Sequence, residues 1–534
     1  MLRRCRDPAT ATRPRPRVSA LLSQEVPFQR RLSPNTRPPL ALFVAVDSVM
    51  PDPTADSSSE ANEEVLTGNV LKIVLLSLSA ALGGFLFGFD SGVINGTVEA
   101  IQSDFGAGEV VTGFNVASML LGSAVGAFFA GNLADKVGRR PTLILTALAF
   151  MVSAWGSGAA GGSVPFVAAR LIGGLAVGAA SILAPAYISE IAPSSIRGSL
   201  ATLQQLMIVV GLFVAFLNNY LIAQAAGSAA NAFWMGFDAW QWMYWMELIP
   251  ASVFFLSLLA IPESPRYLVA ANREEEAASV LDSLGTATNV KEKLADIRST
   301  LNDERRPRLT DVIQEHTGRI HPLLWAGIGL AALQQLTGIN VVFYYGGTLW
   351  QAAGFTEASA LLTNVVNGSV NVVFTFVAIA LIDRVGRRPL LLVGSIGQAL
   401  MLGVMAYVFA TAAQGGAGGI EMQGNQGVVA LVAANAYIAF FAFSWGPVMW
   451  VMLGEMFPNR FRGAALSICG LVQWLSNFLV TWTFPILLGS IGLGISYGIY
   501  AAFGVVAFVF VKLFIDETKG RSLEDMSREA DAAA

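Results

Sequence analysis

Cysteine and histidine are almost missing from this chain. Cys5 and Cys469 are the only cysteines in 534 residues, which excludes a disulfide framework and a thiolate metal site. His316 and His321 are the only histidines, and both fall in a charged stretch. Any proton pathway must therefore run on carboxylates. Charge is also scarce: Asp, Glu, Lys and Arg make up 13% of the residues, about half of what a soluble domain carries. No nucleotide loop, nucleophile triad or metal cluster can be read, so the chain is taken as no enzyme, with no cofactor and no metal. The net charge of −4 gives no footing for nucleic acid.

What is abundant is apolar. Hydrophobic residues form 54% of the chain and mean hydropathy is +0.58. Twelve apolar stretches follow one another: Leu71–Ile94, Val111–Leu133, Pro141–Gly158, Pro165–Ile188, Leu200–Ala223, Trp240–Ile261, Pro322–Tyr345, Ala360–Ile382, Leu390–Ala410, Val428–Met452, Ala464–Leu488 and Ile491–Phe514. Each is long enough to span a bilayer as a helix. The basic residues test this map. From residue 60 on, Lys and Arg lie in even-numbered connections, at the start of stretch 1 or near the exit of stretch 12, with Arg170 the one exception. By the positive-inside rule both termini are cytoplasmic.

The segment 1–49 differs in composition. Residues 1–59 hold nine Arg with many Pro and Ser. A transit peptide is one reading; another is upstream translation, the chain starting at Met50 before an acidic leader. Disorder is expected there either way. The expected layout is a disordered tail over 1–69, a six-helix half over 70–261, a cytoplasmic linker over 262–321, a second six-helix half over 322–515 and a tail over 516–534. Short charged helices are expected in the linker at Glu274–Leu284 and Val290–Leu301.

The halves repeat one another. Asp135-Lys-Val-Gly-Arg139-Arg140-Pro returns as Asp383-Arg-Val-Gly-Arg387-Arg388-Pro; Glu190, Pro193, Arg197 and Gly198 return as Glu455, Pro458, Arg462 and Gly463. Such parallel repeats are related by an axis along the membrane normal. Charge networks of Asp135, Arg139, Arg140, Glu190 and Arg197, and of Asp383, Arg387, Arg388, Glu455 and Arg462, are expected to lock the cytoplasmic side, with Glu190 facing Arg197 and Glu455 facing Arg462.

Stretch 7 carries Gln334-Gln335-Leu-Thr337-Gly338-Ile-Asn340, then Tyr344 and Tyr345. On an unbroken helix these polar groups would spread over an arc of about 220°. A break at Thr337-Gly338 would turn both halves of the helix toward one cavity, as in interrupted transporter helices. Arg170, inside stretch 4, needs a buried partner; Asp90, in stretch 1 at similar depth, is the expected one.

These residues, with Arg170-Leu-Ile-Gly-Gly174, Pro262-Glu263-Ser-Pro-Arg266-Tyr-Leu268 and Glu517-Thr-Lys-Gly-Arg-Ser-Leu-Glu524, resemble the sugar porter family of the major facilitator superfamily over about Lys72 to Glu524. The family usually has Pro where Asp516 stands. The resemblance implies an all-α membrane protein of twelve transmembrane helices in two six-helix halves. It implies a monosaccharide site of Gln205, Gln334, Gln335, Asn340, Tyr344, Asn371, Trp450, Gln473, Trp474 and Asn477, with Phe87 and Gly446 shaping the cavity. Amides donate and accept from one group, which suits neutral hydroxyls. Gly446-Pro447 is expected to let helix 10 bend. Leu212 stands where the family often has a polar residue. Asp90 and Arg170 match the proton-coupling pair of proton-linked members, and Glu247 a second carboxylate. Glu263 and Arg266 join the cytoplasmic gate. The expected function is import of a neutral monosaccharide by proton symport, glucose being the commonest family substrate; a passive uniporter and a non-transporting sensor are the alternatives. The expected partners are the sugar, the proton and the lipid bilayer, with the chain working as a monomer in a bacterial inner membrane.

Overall fold

The computed structural model describes residues 57–193, 196–285, 290–303, 312–313, 319–414, 420–458 and 461–519. The segment 1–49, residues 520–534 and the side chain of Arg197 lie outside what it describes.

Among the described residues, eleven apolar helical runs are long enough to cross a membrane: α1 (Val70–Gly96), α2 (Glu109–Val137), α3 (Arg139–Gly158), α4 (Ser163–Ile191), α5 (Thr202–Ala226), α6 (Ala239–Ala260), α7 (Pro322–Tyr344), α8 (Glu357–Val385), α9 (Arg387–Thr411), α10 (Gln426–Met456) and the run Arg462–Phe514. That last run holds two spans, α11 before Gly492 and α12 after it, because Gly492 leaves helical geometry (φ 75°, ψ 174°). Twelve spans result.

The repeated loops explain how two helices reverse within one residue. Val137 ends α2 and Arg139 starts α3, with Gly138 at φ 113° between them; Gly386 does the same between α8 and α9 at φ 106°. Positive φ is cheap only for glycine. Each reversal leaves the first N–H groups of the next helix without intrahelical acceptors. Glu263 Oε1 accepts from the Arg139 and Arg140 N–H groups (3.0 and 3.2 Å). Glu517 Oε1 and Oε2 accept from the Arg387 and Arg388 N–H groups (both 3.0 Å). The two glutamates are thus structural equivalents, an extension of the repeat that spacing had not shown. Burial pushes the Glu517 carboxyl up, but the N–H groups of Lys519, Arg387, Arg388 and Thr518 together outweigh it and hold the group below its ordinary range. A carboxyl held low stabilises the fold above its unfolded pKa and loses that contribution as pH falls through the folded one. Glu517→Gln should therefore lower Tm at neutral pH, with the gap to wild type closing in acid; equal Tm values at neutral pH would remove the anchor role.

The charge networks differ from expectation in one respect. Arg139 meets Asp135 (2.9 Å) and Glu190 (3.2 Å), and Arg387 meets Asp383 (3.0 Å) and Glu455 (2.8 Å). Glu455 therefore faces Arg387, not Arg462; Arg462 turns to the Phe457 carbonyl that ends α10 (3.0 Å). Arg140 donates to the Leu258 and Leu259 carbonyls, and Arg388 to that of Lys512. These bonds brace the basic end of each half from within. They do not bridge the halves.

The linker folds as Pro265–Ala270, Glu274–Leu284 and Val290–Asp303. Leu268, Val269 and Ala277 pack against Leu294, Ile297 and Leu301. Lys72, at the start of α1, donates to the Ser283 carbonyl (2.8 Å). At the opposite end of the bundle sits a hairpin the apolar pattern did not show, Ala232–Trp234 with Phe237–Asp238. Met235 and Gly236 turn it with φ 57° and 84°, a primed turn matched to strand twist.

Candidate functional site

Glycines at 84, 88, 92 and 96 form a stripe down α1. A Cβ on Gly88 would strike the Leu212 backbone nitrogen at 2.7 Å, and one on Gly92 would strike Ala215 Cβ at 2.8 Å. Small residues thus seat α1 directly on α5. Leu212 packs into this contact and is buried. Asp90 is two residues from Gly88 and from Gly92, about 200° around the helix, so it points away from α5 and toward α4.

There it meets Arg170. Arg170 Nη1 pairs with Asp90 Oδ1, and Nη2 donates to the Asp90 carbonyl (3.1 Å). The guanidinium lies over the Tyr244 ring at 5.7 Å. Asp90 and Arg170 are each 1% exposed, and Glu247 is fully buried. Asp90 Oδ2, Arg170 Nε and both Glu247 oxygens have no hydrogen-bond partner. Glu247 feels both charges of the pair. Two carboxylates and one guanidinium sum to −1, and a buried net charge is costly. One proton makes the cluster neutral. The chemistry available is the uptake and release of a single proton on carboxylate oxygen.

The polar groups of α7 come together through a break. Its first helix ends at Leu336, Gly338 takes φ 80°, and Ile339 starts the next turn. Tyr437 Oη donates to the Thr337 carbonyl freed there (2.9 Å). A chain of amides follows. Asn340 Nδ2 donates to Gln335 Oε1 (2.6 Å), Gln335 Nε2 to Gln334 Oε1 (3.0 Å), and Gln334 Nε2 to the Trp445 carbonyl (2.9 Å). A Cβ on Gly338 would lie 2.8 Å from Tyr500 Cγ. Gly338→Ala combines positive-φ strain with that clash, together roughly 1–3 kcal/mol. A drop in Tm and in transport rate is the expected result, and a variant with wild-type values for both would argue against the hinge.

The bend in α10 arises slightly earlier than Gly446-Pro447. Ser444 is the non-helical residue (φ −126°, ψ −92°) between Gln426–Ala442 and Trp445–Met456. Pro447 has no N–H for the turn before it and its ring crowds that turn, so the break falls N-terminal to the proline.

On α11, Trp474 meets Phe87 of α1 with ring centroids 5.7 Å apart. Asn477 receives the Thr481 hydroxyl at Oδ1 (3.1 Å), and the Tyr344 hydroxyl lies close to Asn477 and Ser91, whose Oγ is buried without a partner. Gln473 Oε1 is buried without a partner. The structure therefore joins Gln334, Gln335 and Asn340 in one group, Tyr344 and Asn477 in a second, and Phe87 and Trp474 in a third. Asn371 is buried, Gln205 half-buried and Trp450 40% exposed. No described hydrogen bond ties these three to the amide chain. Asn367 was missed: it is 1% exposed with both amide atoms unpartnered. Asn364, Asn367 and Asn371 lie at helical spacing on one face of α8, and that spacing was there to be read. Among the described residues no metal-ligating cluster occurs.

The sugar (and other) transporter family model matches residues 76–530. A glucose transport protein of Synechocystis sp. is 48% identical over 465 residues, covering 86% of this chain and 98% of that protein. The D-xylose-proton symporter of Escherichia coli is 36% identical, covering 85% and 95%. Among solved structures, the E. coli xylose transporter XylE in a partially occluded, inward-open conformation matches with a TM-score of 0.73 at 35% identity, covering 84% of this chain and 99% of that one.

Proposed function

Since the chain belongs to the sugar (and other) transporter family, with the major facilitator fold, we propose that it imports a neutral monosaccharide by proton symport, with glucose as the substrate. It is a multi-pass membrane protein and not an enzyme. The observation that carries symport is the buried Asp90–Arg170 pair beside an unpartnered Glu247, a cluster one proton short of neutrality. In this reading the carrier takes that proton from outside, which loosens Asp90 from Arg170 and permits the loaded carrier to change face. The amide chain Gln334–Gln335–Asn340, with Tyr344, Asn371, Gln205, Gln473 and Asn477, binds hydroxyls; Trp474, Trp450 and Phe87 cover the apolar sugar face, and Gly446 leaves room. A site of amides and aromatic rings favours an uncharged ligand. Glucose is favoured by the likeness to the Synechocystis glucose transport protein, and proton coupling by that to the D-xylose-proton symporter. The Lys and Arg distribution supports a topology with the basic end and both termini on the cytoplasmic side, the likeness to bacterial transporters supports a bacterial inner membrane, and in this reading the charge networks brace the cytoplasmic ends of the two halves.

Uptake of labelled glucose into cells without hexose carriers tests this, with and without an uncoupler and with xylose as competitor. Uphill accumulation abolished by the uncoupler supports the reading. Equilibration indifferent to the uncoupler would make the chain a facilitator. Xylose uptake without glucose uptake would reassign the substrate.

A further inference from the structure

The halves are tied together at the end opposite the Arg-Arg loops, and most of the tie converges on one side chain. Asn95, at the last turn of α1, is 2% exposed. Its Nδ2 donates to the Phe343 carbonyl (2.8 Å). Its Oδ1 accepts from the Gly347 N–H (3.2 Å) and from Asn364 Nδ2 (2.6 Å). One amide of the first half thus binds three groups of the second, on the segment after the α7 break and on α8. The backbone there is shaped to receive it. A Cβ on Gly347 would lie 2.7 Å from the Asn95 carbonyl oxygen, and one on Gly346 would lie 2.8 Å from Asn95 Nδ2 and strike Asn364 Oδ1. Glycine at both positions allows this close approach.

Other described bonds join the halves at the same end. The Ala229 N–H donates to Glu357 Oε1 (2.8 Å), and Trp482 Nε1 donates to the Val110 carbonyl (3.2 Å). A cavity of about 130 Å³ lies among Asn95, Glu99, Ala229, Gly347, Glu357 and Leu361.

We propose that Asn95 is the clasp of the outer gate, a positioning residue that closes the outside by binding Phe343, Gly347 and Asn364 and must release all three for the carrier to open outward. This rests on the reading of the chain as an alternating-access carrier with its basic end inside. A buried amide filling every bond with the other half stabilises only the state in which the halves meet there, and an interaction made in one state alone shifts the balance between states. Phe343 and Gly347 flank Tyr344 and Tyr345, so release of Asn95 frees the segment that bears the α7 tyrosines.

The test reads the gate without sugar, so it stands apart from the substrate assignment. Leu361, 3% exposed, is replaced by Cys as a reporter in a Cys469→Ser background, and its reaction with a membrane-impermeant maleimide is timed from outside. Asn95→Ala removes all three bonds, and Gly347→Ala wedges the same contact apart while keeping the Asn95 amide. Both should speed labelling, Asn95→Ala by about tenfold, with Asn364→Ala between it and wild type. External half-saturation for sugar should fall while maximal uptake also falls, because more carriers wait outward. A lost fold would instead lower uptake without improving half-saturation. Unchanged labelling in monodisperse, full-yield Asn95→Ala and Gly347→Ala proteins would overturn the proposal.

Discussion

Asp90→Asn should abolish uphill sugar accumulation while sparing downhill exchange. One charge moved across 100 mV is worth about 2.3 kcal/mol, roughly a fifty-fold concentration ratio per proton. Asparagine keeps the size and the hydrogen-bonding oxygen facing Arg170 but takes no proton, so the ratio should fall to about one. Arg170 would not be stranded, because Glu247 is fully buried and lies within electrostatic reach of it; the variant should therefore fold. The check is counterflow in proteoliposomes, which needs no gradient, beside pH-driven uptake, which does. Counterflow retained with driven uptake lost is the expected pair of results. Accumulation surviving in Asp90→Asn would remove Asp90 from the coupling step and leave Glu247 as the carboxylate to test. If the passive reading were correct, wild type itself would show no driven uptake.

Gln335→Leu should reduce sugar uptake efficiency by about a hundredfold, from the loss of two or more hydrogen bonds to buried groups at 1–3 kcal/mol each. Gln335 stands in the middle of the amide chain. It donates to Gln334 Oε1 and accepts from Asn340 Nδ2. Leucine matches its bulk but strands both neighbours, so the damage exceeds that of one lost contact to ligand. Gln334→Leu should cost less, because it ends the chain at a backbone carbonyl. The measure is maximal uptake over half-saturation, with ligand binding followed by quenching of Trp474 fluorescence. Equal effects of the two substitutions would indicate that sugar touches each amide separately and that the chain between them is incidental.

Much of the architecture was legible in the sequence for a simple reason. Whether twenty residues cross a bilayer depends on those residues alone, and so does the exclusion of Arg and Lys from them. The twelve spans, the repeated Gly-Arg-Arg loops and the break at Thr337-Gly338 could be read on that basis. The Asp90–Arg170 pair could also be named, because a lone guanidinium inside a span demands a carboxylate at its own depth and few were on offer. Where choice was wider, the reading slipped. Glu455 had two basic candidates, Arg387 and Arg462, and local spacing favoured the one that in fact caps the Phe457 carbonyl. The α10 break moved from Gly446-Pro447 to Ser444 because a proline disturbs the turn before it.

Asn95 and Asn364 were invisible as a pair. An asparagine in an apolar run looks the same whether its partner lies one turn away or on the other half of the molecule. Glu263 and Glu517 likewise gave no sign that they seat the starts of two helices more than a hundred residues upstream. Composition and local pattern by themselves determined which segments enter the membrane, which end is basic and that the chain is doubled, since each of these is set by short-range transfer of side chains between water and hydrocarbon. Only the tertiary structure decided which buried amide meets which, because a hydrogen bond across the two halves exists in one arrangement of those halves and in no segment taken alone.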